Sequence, residues 1–195
     1  EDANIVVAAR TESELANIKS QFKTKDNFMA IKCDVTSIDD VKELMKKTLS
    51  TYETIDILVN NVGKAYIGPI SKMSNNDWND IITTNLTSVF LCCKEVIPIM
   101  EKQKSGYIIN IVSNSGKSGT ANFAAYCASK FGEIGFTQSL FQEVKASGIK
   151  VVAICPGGVD TTLWKNVQDD PRIIPKKGKS MSAKNVAQVV NFILN

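Results

Sequence analysis

A chain of 195 residues with 44% apolar side chains is long enough to bury one compact core. Its 23 basic and 20 acidic residues leave a formal net charge of +3, and no long run of one sign marks a nucleic-acid or membrane-surface tail; the nearest, Lys176-Lys177-Gly178-Lys179, reads as a solvated loop. There is no histidine, which removes Ser-His-Asp and Cys-His hydrolases and histidine-held metals and leaves acid–base chemistry to Tyr, Lys, Asp, Glu or Cys.

In chain order, the first Val-rich run, Asn4–Ala9, predicts a buried strand ending at Arg10, followed by a helix over Thr11–Phe22. A second strand, Phe28–Cys33, leads through Thr36-Ser37, good capping residues, into a helix over Ile38–Tyr52. The third strand, Asp56–Asn60, is followed after Ser74-Asn75-Asn76-Asp77 by one long helix, Asn76–Gln103. Strand Tyr107–Val112 precedes a helix over Phe123–Ser147, which Gly148 closes as a left-handed residue. Strand Lys150–Cys155, a long loop from Gly157 to about Met181, and a helix over Ala183–Leu194 behind Ser182 complete the chain.

Near-continuous apolar strands alternating with helices imply parallel pairing under helices on both faces, so the expected fold is a doubly wound α/β sheet in a single domain over residues 1–195. In such sheets ligands bind beyond the carboxyl ends of the strands. No apolar stretch of the roughly 18 residues needed to cross a bilayer is evident, and no membrane partner is expected. Five cysteines, three of them in apolar runs, with no metal-ligand spacing, predict reduced thiols in a cytoplasmic protein and no metal site.

Chemistry concentrates in Tyr126-Cys127-Ala128-Ser129-Lys130, with Ser113 thirteen residues upstream at a strand end. The i, i+4 spacing puts Tyr126 and Lys130 on one helix face, where an ammonium can pull a phenol's pKa downward. A phenol so tuned can exchange a proton with an alcohol or carbonyl, and a neighbouring serine hydroxyl can hydrogen-bond the substrate oxygen.

The order of Asn60-Asn61-Val62-Gly63 after one strand, Asn85 in a helix, Ser113 at the next strand end, Tyr126 and Lys130 in the next helix, and Pro156-Gly157-Gly158-Val159-Asp160-Thr161 after another strand resembles the short-chain dehydrogenase/reductase family. The resemblance covers essentially the whole chain and is greatest to its 3-oxoacyl-(acyl-carrier-protein) reductases. It implies a Rossmann-like fold and hydride transfer between NADP(H) and a carbonyl or alcohol. Tyr126 would be the general acid, Ser113, in preference to Ser115, would orient the substrate oxygen, Lys130 would bind the nicotinamide ribose, and Asn85 would hold a relay water. Asn60 and Gly63 would shape the cofactor turn, Asp34 and Val35 would meet the adenine, and the Pro156-Gly157 turn with Val159 and Thr161 would approach the carboxamide. Val62 stands where the family usually has alanine.

At the end of the first strand an acid would accept hydrogen bonds from a ribose 2′-OH, whereas Arg10 suits a 2′-phosphate and hence NADP(H). The chain opens at what resembles the family's second strand, with no Gly-rich phosphate turn. The central strand of the sheet is therefore expected to be missing between Asn4–Ala9 and Asp56–Asn60. The resemblance also implies a small-molecule or acyl-carrier substrate and a homodimer or homotetramer built on the two long helices. The competing expectation is a non-catalytic dinucleotide-sensing or assembly module, favoured by the absent phosphate turn and disfavoured by the intact Ser113, Tyr126, Lys130 and Asn85.

Overall fold

The Val- and Ile-rich segments form parallel strands in the computed structural model, which describes residues 3–21, 27–164 and 180–195. Strand β1 (Ile5–Ala9) pairs with β2 (Phe28–Lys32), while β3 (Ile57–Asn60), β4 (Gly106–Ile111) and β5 (Ile149–Ile154) pair in that order. Among the described residues no strand joins β1 to β3, so the sheet is in two pieces. The split falls where the sequence places the missing strand. Ile5, Ile57 and Val59, on the strands flanking that split, are exposed, although strands of a parallel sheet are ordinarily covered on both faces.

Among the described residues there are six α-helices: α1 (Glu12–Gln21), α2 (Ile38–Tyr52), α3 (Asn75–Ile82), α4 (Ser88–Gln103), α5 (Ala124–Val144) and α6 (Ala183–Leu194). Local chemistry sets their ends. The Ser37 hydroxyl accepts from Asp40 N–H at the start of α2, and Ser182 and Asn185 form a reciprocal capping box at α6. Gly148 adopts φ 78° after α5, and a Cβ there would lie 2.4 Å from the Lys104 carbonyl oxygen, so both conformation and space require glycine.

The expected helix Asn76–Gln103 is broken: α3 and α4 are separated by a π-helical turn, Thr83–Thr87. The helix expected over Phe123–Ser147 begins at Ala124 and ends at Val144, with a 3-10 turn, Lys145–Ser147, before Gly148. Phe22 at the expected end of the first helix, and residues 165–179 with Pro171, Arg172, Pro175 and the Lys176–Lys179 run, lie outside the described residues.

The main core brings Val41 and Met45 of α2 against Val89, Cys93, Val96 and Met100 of α4, Ile108 of β4, Leu140 and Val144 of α5, and Ile149 of β5. The run Asn75–Gln103 is long and apolar enough by composition to cross a membrane, more than the sequence reading allowed. Val89, Cys92, Cys93, Val96 and Met100 of that run are buried in this core, whereas Trp78 and Phe90 are exposed. All five cysteines are free thiols, and burial pushes the Cys92 and Cys93 thiols up to about 12, which keeps them protonated and inert.

Candidate active site

The loops after β3, β4 and β5 meet the first turns of α5, and this edge gathers most of the residues singled out from the sequence. Ser113 lies just beyond β4 in extended conformation, its Oγ accepting from Ser115 N–H at 3.1 Å. Ser115 thus supports Ser113 through its backbone. The Asn114 N–H donates to the Pro156 carbonyl at 2.8 Å, tying the loop after β4 to the loop after β5. From there Val159-Asp160 forms a short strand, β6, paired with Met181-Ser182, β7, and Gly157 lies against Met181, so the Pro156–Thr161 segment is anchored to the start of α6.

Tyr126 occupies the first turn of α5, buried and packed edge-on against Phe123 with ring centroids 6.1 Å apart. Lys130 follows one turn later, its Nζ 5.9 Å from the tyrosine ring centroid. The expected downward pull on the phenol is not found. Burial raises the Tyr126 pKa above its ordinary value of 10.0, the nearby Ser113 hydroxyl draws it back, and the charge of Glu133 raises it again. The Lys130 ammonium is itself paired: Nζ stands 2.6 Å from Glu133 Oε1, with both side chains all but fully buried. Glu133 was not singled out from the sequence. Its place three residues after Lys130 and seven after Tyr126, on the same helix face, was the available signal.

Asn85 sits inside the π-helical turn and is fully buried. Its amide accepts from Lys64 N–H at 2.8 Å and donates to the Lys64 carbonyl and to Ser129 Oγ, each at 2.9 Å. The side chain therefore clamps the backbone just after Gly63, and π-turns of this kind recur at functional sites. A Cβ on Gly63 would lie 3.8 Å from Asn85 Oδ1 and 3.9 Å from Lys130 Nζ, ordinary contacts that show how close this turn runs to the lysine. Lys64 itself forms an exposed ion pair with Asp80.

Asn60 ends β3 but its side chain turns inward, against the expectation that it shapes the cofactor turn directly. Its Nδ2 donates to Asn110 Oδ1 at 2.8 Å, in register across β3 and β4. Asn110 Nδ2 donates in turn to Thr137 Oγ1 at 2.8 Å, and Thr137 donates to the Glu133 carbonyl at 2.6 Å. This buried polar seam stitches the sheet to α5 beneath Tyr126 and Lys130. A lone asparagine inside the apolar run Tyr107–Val112 was its only sequence signal.

At the end of β1, Arg10 is exposed and lines a cleft of about 430 Å³ with Lys32, Asp34, Asp40 and Leu44. Arg10 makes no ion pair with a described residue. The Asp34 carboxylate accepts from Thr36 Oγ1 at 2.7 Å and Thr36 N–H at 3.0 Å, and these bonds, with the Arg10 charge behind them, lower its pKa. Val35 turns its side chain into the core rather than the cleft, so only its backbone is free to meet a ligand. The described residues contain no cluster able to hold a metal ion.

The family described as short chain dehydrogenase matches residues 1–172. The chain belongs to the short-chain dehydrogenase family. Among relatives, a 3-oxoacyl-[acyl-carrier-protein] reductase of Synechocystis sp. is 41% identical over 73% of this chain, which covers 58% of that relative's length. The corresponding reductase of Salmonella typhimurium is 34% identical, over 98% of this chain and 79% of its own. The chain thus spans under two thirds of the length of the former. Among solved short-chain dehydrogenase folds, ElxO with NADP bound superposes with a TM-score of 0.89 at 27% identity, covering 100% of this chain and 82% of that one. An actinorhodin polyketide ketoreductase variant with NADPH gives 0.90 at 29% identity, over 98% and 80% of the two chains.

Proposed function

We propose that this chain carries the catalytic residues of an NADP(H)-dependent reductase that converts a ketone to an alcohol, with a 3-oxoacyl group, free or on an acyl carrier, as the favoured substrate. The observation that carries the reading is Tyr126, buried beside Ser113 with Lys130 one turn on. A non-catalytic module has no use for a phenol grouped with a serine and a lysine in this way.

The residues present fit a dinucleotide. Arg10 faces an open cleft, its guanidinium without an ion-pair partner among the described residues and suited to a 2′-phosphate, with Asp34 and the backbone of Val35 beside it. The turn ending at Gly63, clamped by Asn85, runs close to Lys130 Nζ, which would meet the ribose there, and Pro156, Gly157, Val159 and Thr161 would border the nicotinamide end. When bound, NADPH supplies the hydride for the carbonyl carbon. Tyr126 gives its phenolic proton to the carbonyl oxygen, Ser113 Oγ donates a hydrogen bond to the same oxygen, and Lys130 holds the ribose. Asn85 and Asn60 contribute through the turn and the sheet rather than by touching substrate.

A second copy of the chain is part of the proposal, as a homodimer or homotetramer. The helices α4 and α5 keep Phe90, Phe131 and Phe141 exposed at 44%, 46% and 40%, and large apolar side chains in water mark an interface. Five free thiols support a cytoplasmic setting. The test is oxidation of NADPH by the full-length protein with a 3-oxoacyl thioester, followed by loss of the cofactor's near-ultraviolet absorbance. Turnover that Tyr126→Phe abolishes is expected; absence of turnover with any ketone, or preference for NADH at matched concentration, would refute it.

A further inference from the structure

Glu133 is a carboxylate where a helix facing a sheet would ordinarily place an apolar side chain. It is 1% exposed and Lys130 is 3% exposed, so the two charges are removed from water together. Their 2.6 Å contact is an ion pair, and Oε1 accepts no hydrogen bond from any other described residue. The Lys130 ammonium also reaches toward the Ile111 carbonyl at 3.4 Å. A buried ion pair stabilises little in itself, because desolvation offsets its attraction. It does fix where a charge sits and how much of it a neighbour feels.

We propose that Glu133 is a positioning residue that anchors the Lys130 ammonium beneath Tyr126 and neutralises its field, so that the cofactor-free site keeps the tyrosine proton in place for donation. The idea rests on Tyr126 being the proton donor of the reductase proposed above. An unopposed ammonium this close would favour the phenolate, which is the form that takes a proton from an alcohol rather than gives one to a ketone. With the carboxylate in place the site favours the acid.

The surroundings leave this role to one pair. On the elements packed against α5, Asp77 caps α3 through Ser74, Asp80 pairs with Lys64, Lys150 of β5 lies over the Tyr107 ring, Lys145 bonds Gln142, and Lys117 is exposed. Among these and the residues of α5 itself, Lys130 is the charge that acts on Glu133 and Glu133 the carboxylate that acts on Tyr126. Burial pushes the Glu133 carboxyl up to about 7 against the downward pull of Lys130, so its charge develops across neutral pH.

¹³Cζ-tyrosine labelling of the cofactor-free full-length protein reads the effect directly, with the Tyr126 signal assigned by its loss in Tyr126→Phe. Glu133→Gln should lower the Tyr126 titration midpoint by about 0.5–1 pH unit. Glu133→Asp, which restores the charge, should return it toward the original. A midpoint unchanged or raised in Glu133→Gln overturns the proposal. Should that variant not fold, the unsubstituted protein still decides: its Tyr126 signal must show a small step near pH 7, where Glu133 titrates, and a smooth curve overturns the proposal equally. Turnover unaffected by Tyr126→Phe would instead defeat the reductase reading, an outcome the titration does not share.

Discussion

Replacing Asn110 by alanine removes the middle of the buried seam beneath the site. Asn110 is fully buried, accepts from Asn60 Nδ2 and donates to Thr137 Oγ1, both at 2.8 Å. After truncation Asn60 Nδ2 retains only a 3.6 Å contact to Cys93 Sγ, a weak acceptor. Thr137 still donates to the Glu133 carbonyl, so its loss is smaller. One stranded amide and one weakened hydroxyl, with the space left by the side chain, should cost about 2–4 kcal/mol. With a urea slope of about 2 kcal/mol per molar for a domain of this size, the midpoint should fall by about 1–2 M. Asn60→Ala removes the same bond from its other end, so the double variant should be less destabilised than the two single losses added together. Equilibrium urea unfolding of the full-length protein, followed by tryptophan fluorescence, measures all three variants. A loss below about 0.5 kcal/mol for Asn110→Ala, or strict additivity with Asn60→Ala, would refute the reading of the seam as a connected network.

Tyr126→Phe should lower kcat by about 10²–10⁴-fold, the usual worth of a positioned proton donor, while NADPH affinity measured by fluorescence titration stays near its original value; a kcat within twofold would contradict the assignment. Arg10→Ala should weaken NADPH binding by about 1.5–3 kcal/mol and leave NADH nearly unaffected, since only the 2′-phosphate is lost as a partner; equal losses for both cofactors would place Arg10 elsewhere. In the reductive direction, donation needs the neutral phenol, and burial raises Tyr126 above its ordinary 10.0. The rate should therefore show no loss from tyrosine ionisation through neutral pH, and a tyrosine-dependent fall centred below pH 8 would reverse the sign. Phe141→Asp should shift the full-length protein toward smaller species in light scattering, whereas a monomer before substitution would already exclude the proposed assembly.

The strands were legible because β-branched residues in short apolar runs have few alternatives in a parallel sheet, and counting them against the doubly wound order was enough to locate the split between β1 and β3. The break at Asn85 was not legible, since nothing local in Thr83–Thr87 forbids an α-helix. It accompanies an amide clamped on the backbone of Lys64, 21 residues away, a contact that exists only after folding. The side-chain partners of Asn60 and Val35 were hidden for the same reason. Position in the chain placed both beside a cofactor, but sheet register gave Asn60 a partner in Asn110 and packing drew Val35 into the core.

The sign of the tyrosine shift follows from this kind of omission. Spacing alone set an ammonium one turn from a phenol, and from two groups the only available conclusion is a lowered pKa. Burial of the phenol itself is the larger cause of the opposite sign, and a third group, Glu133, buried against the same ammonium, adds to it. A helix face must therefore be read for every charge it buries before any one pair on it is assigned a direction.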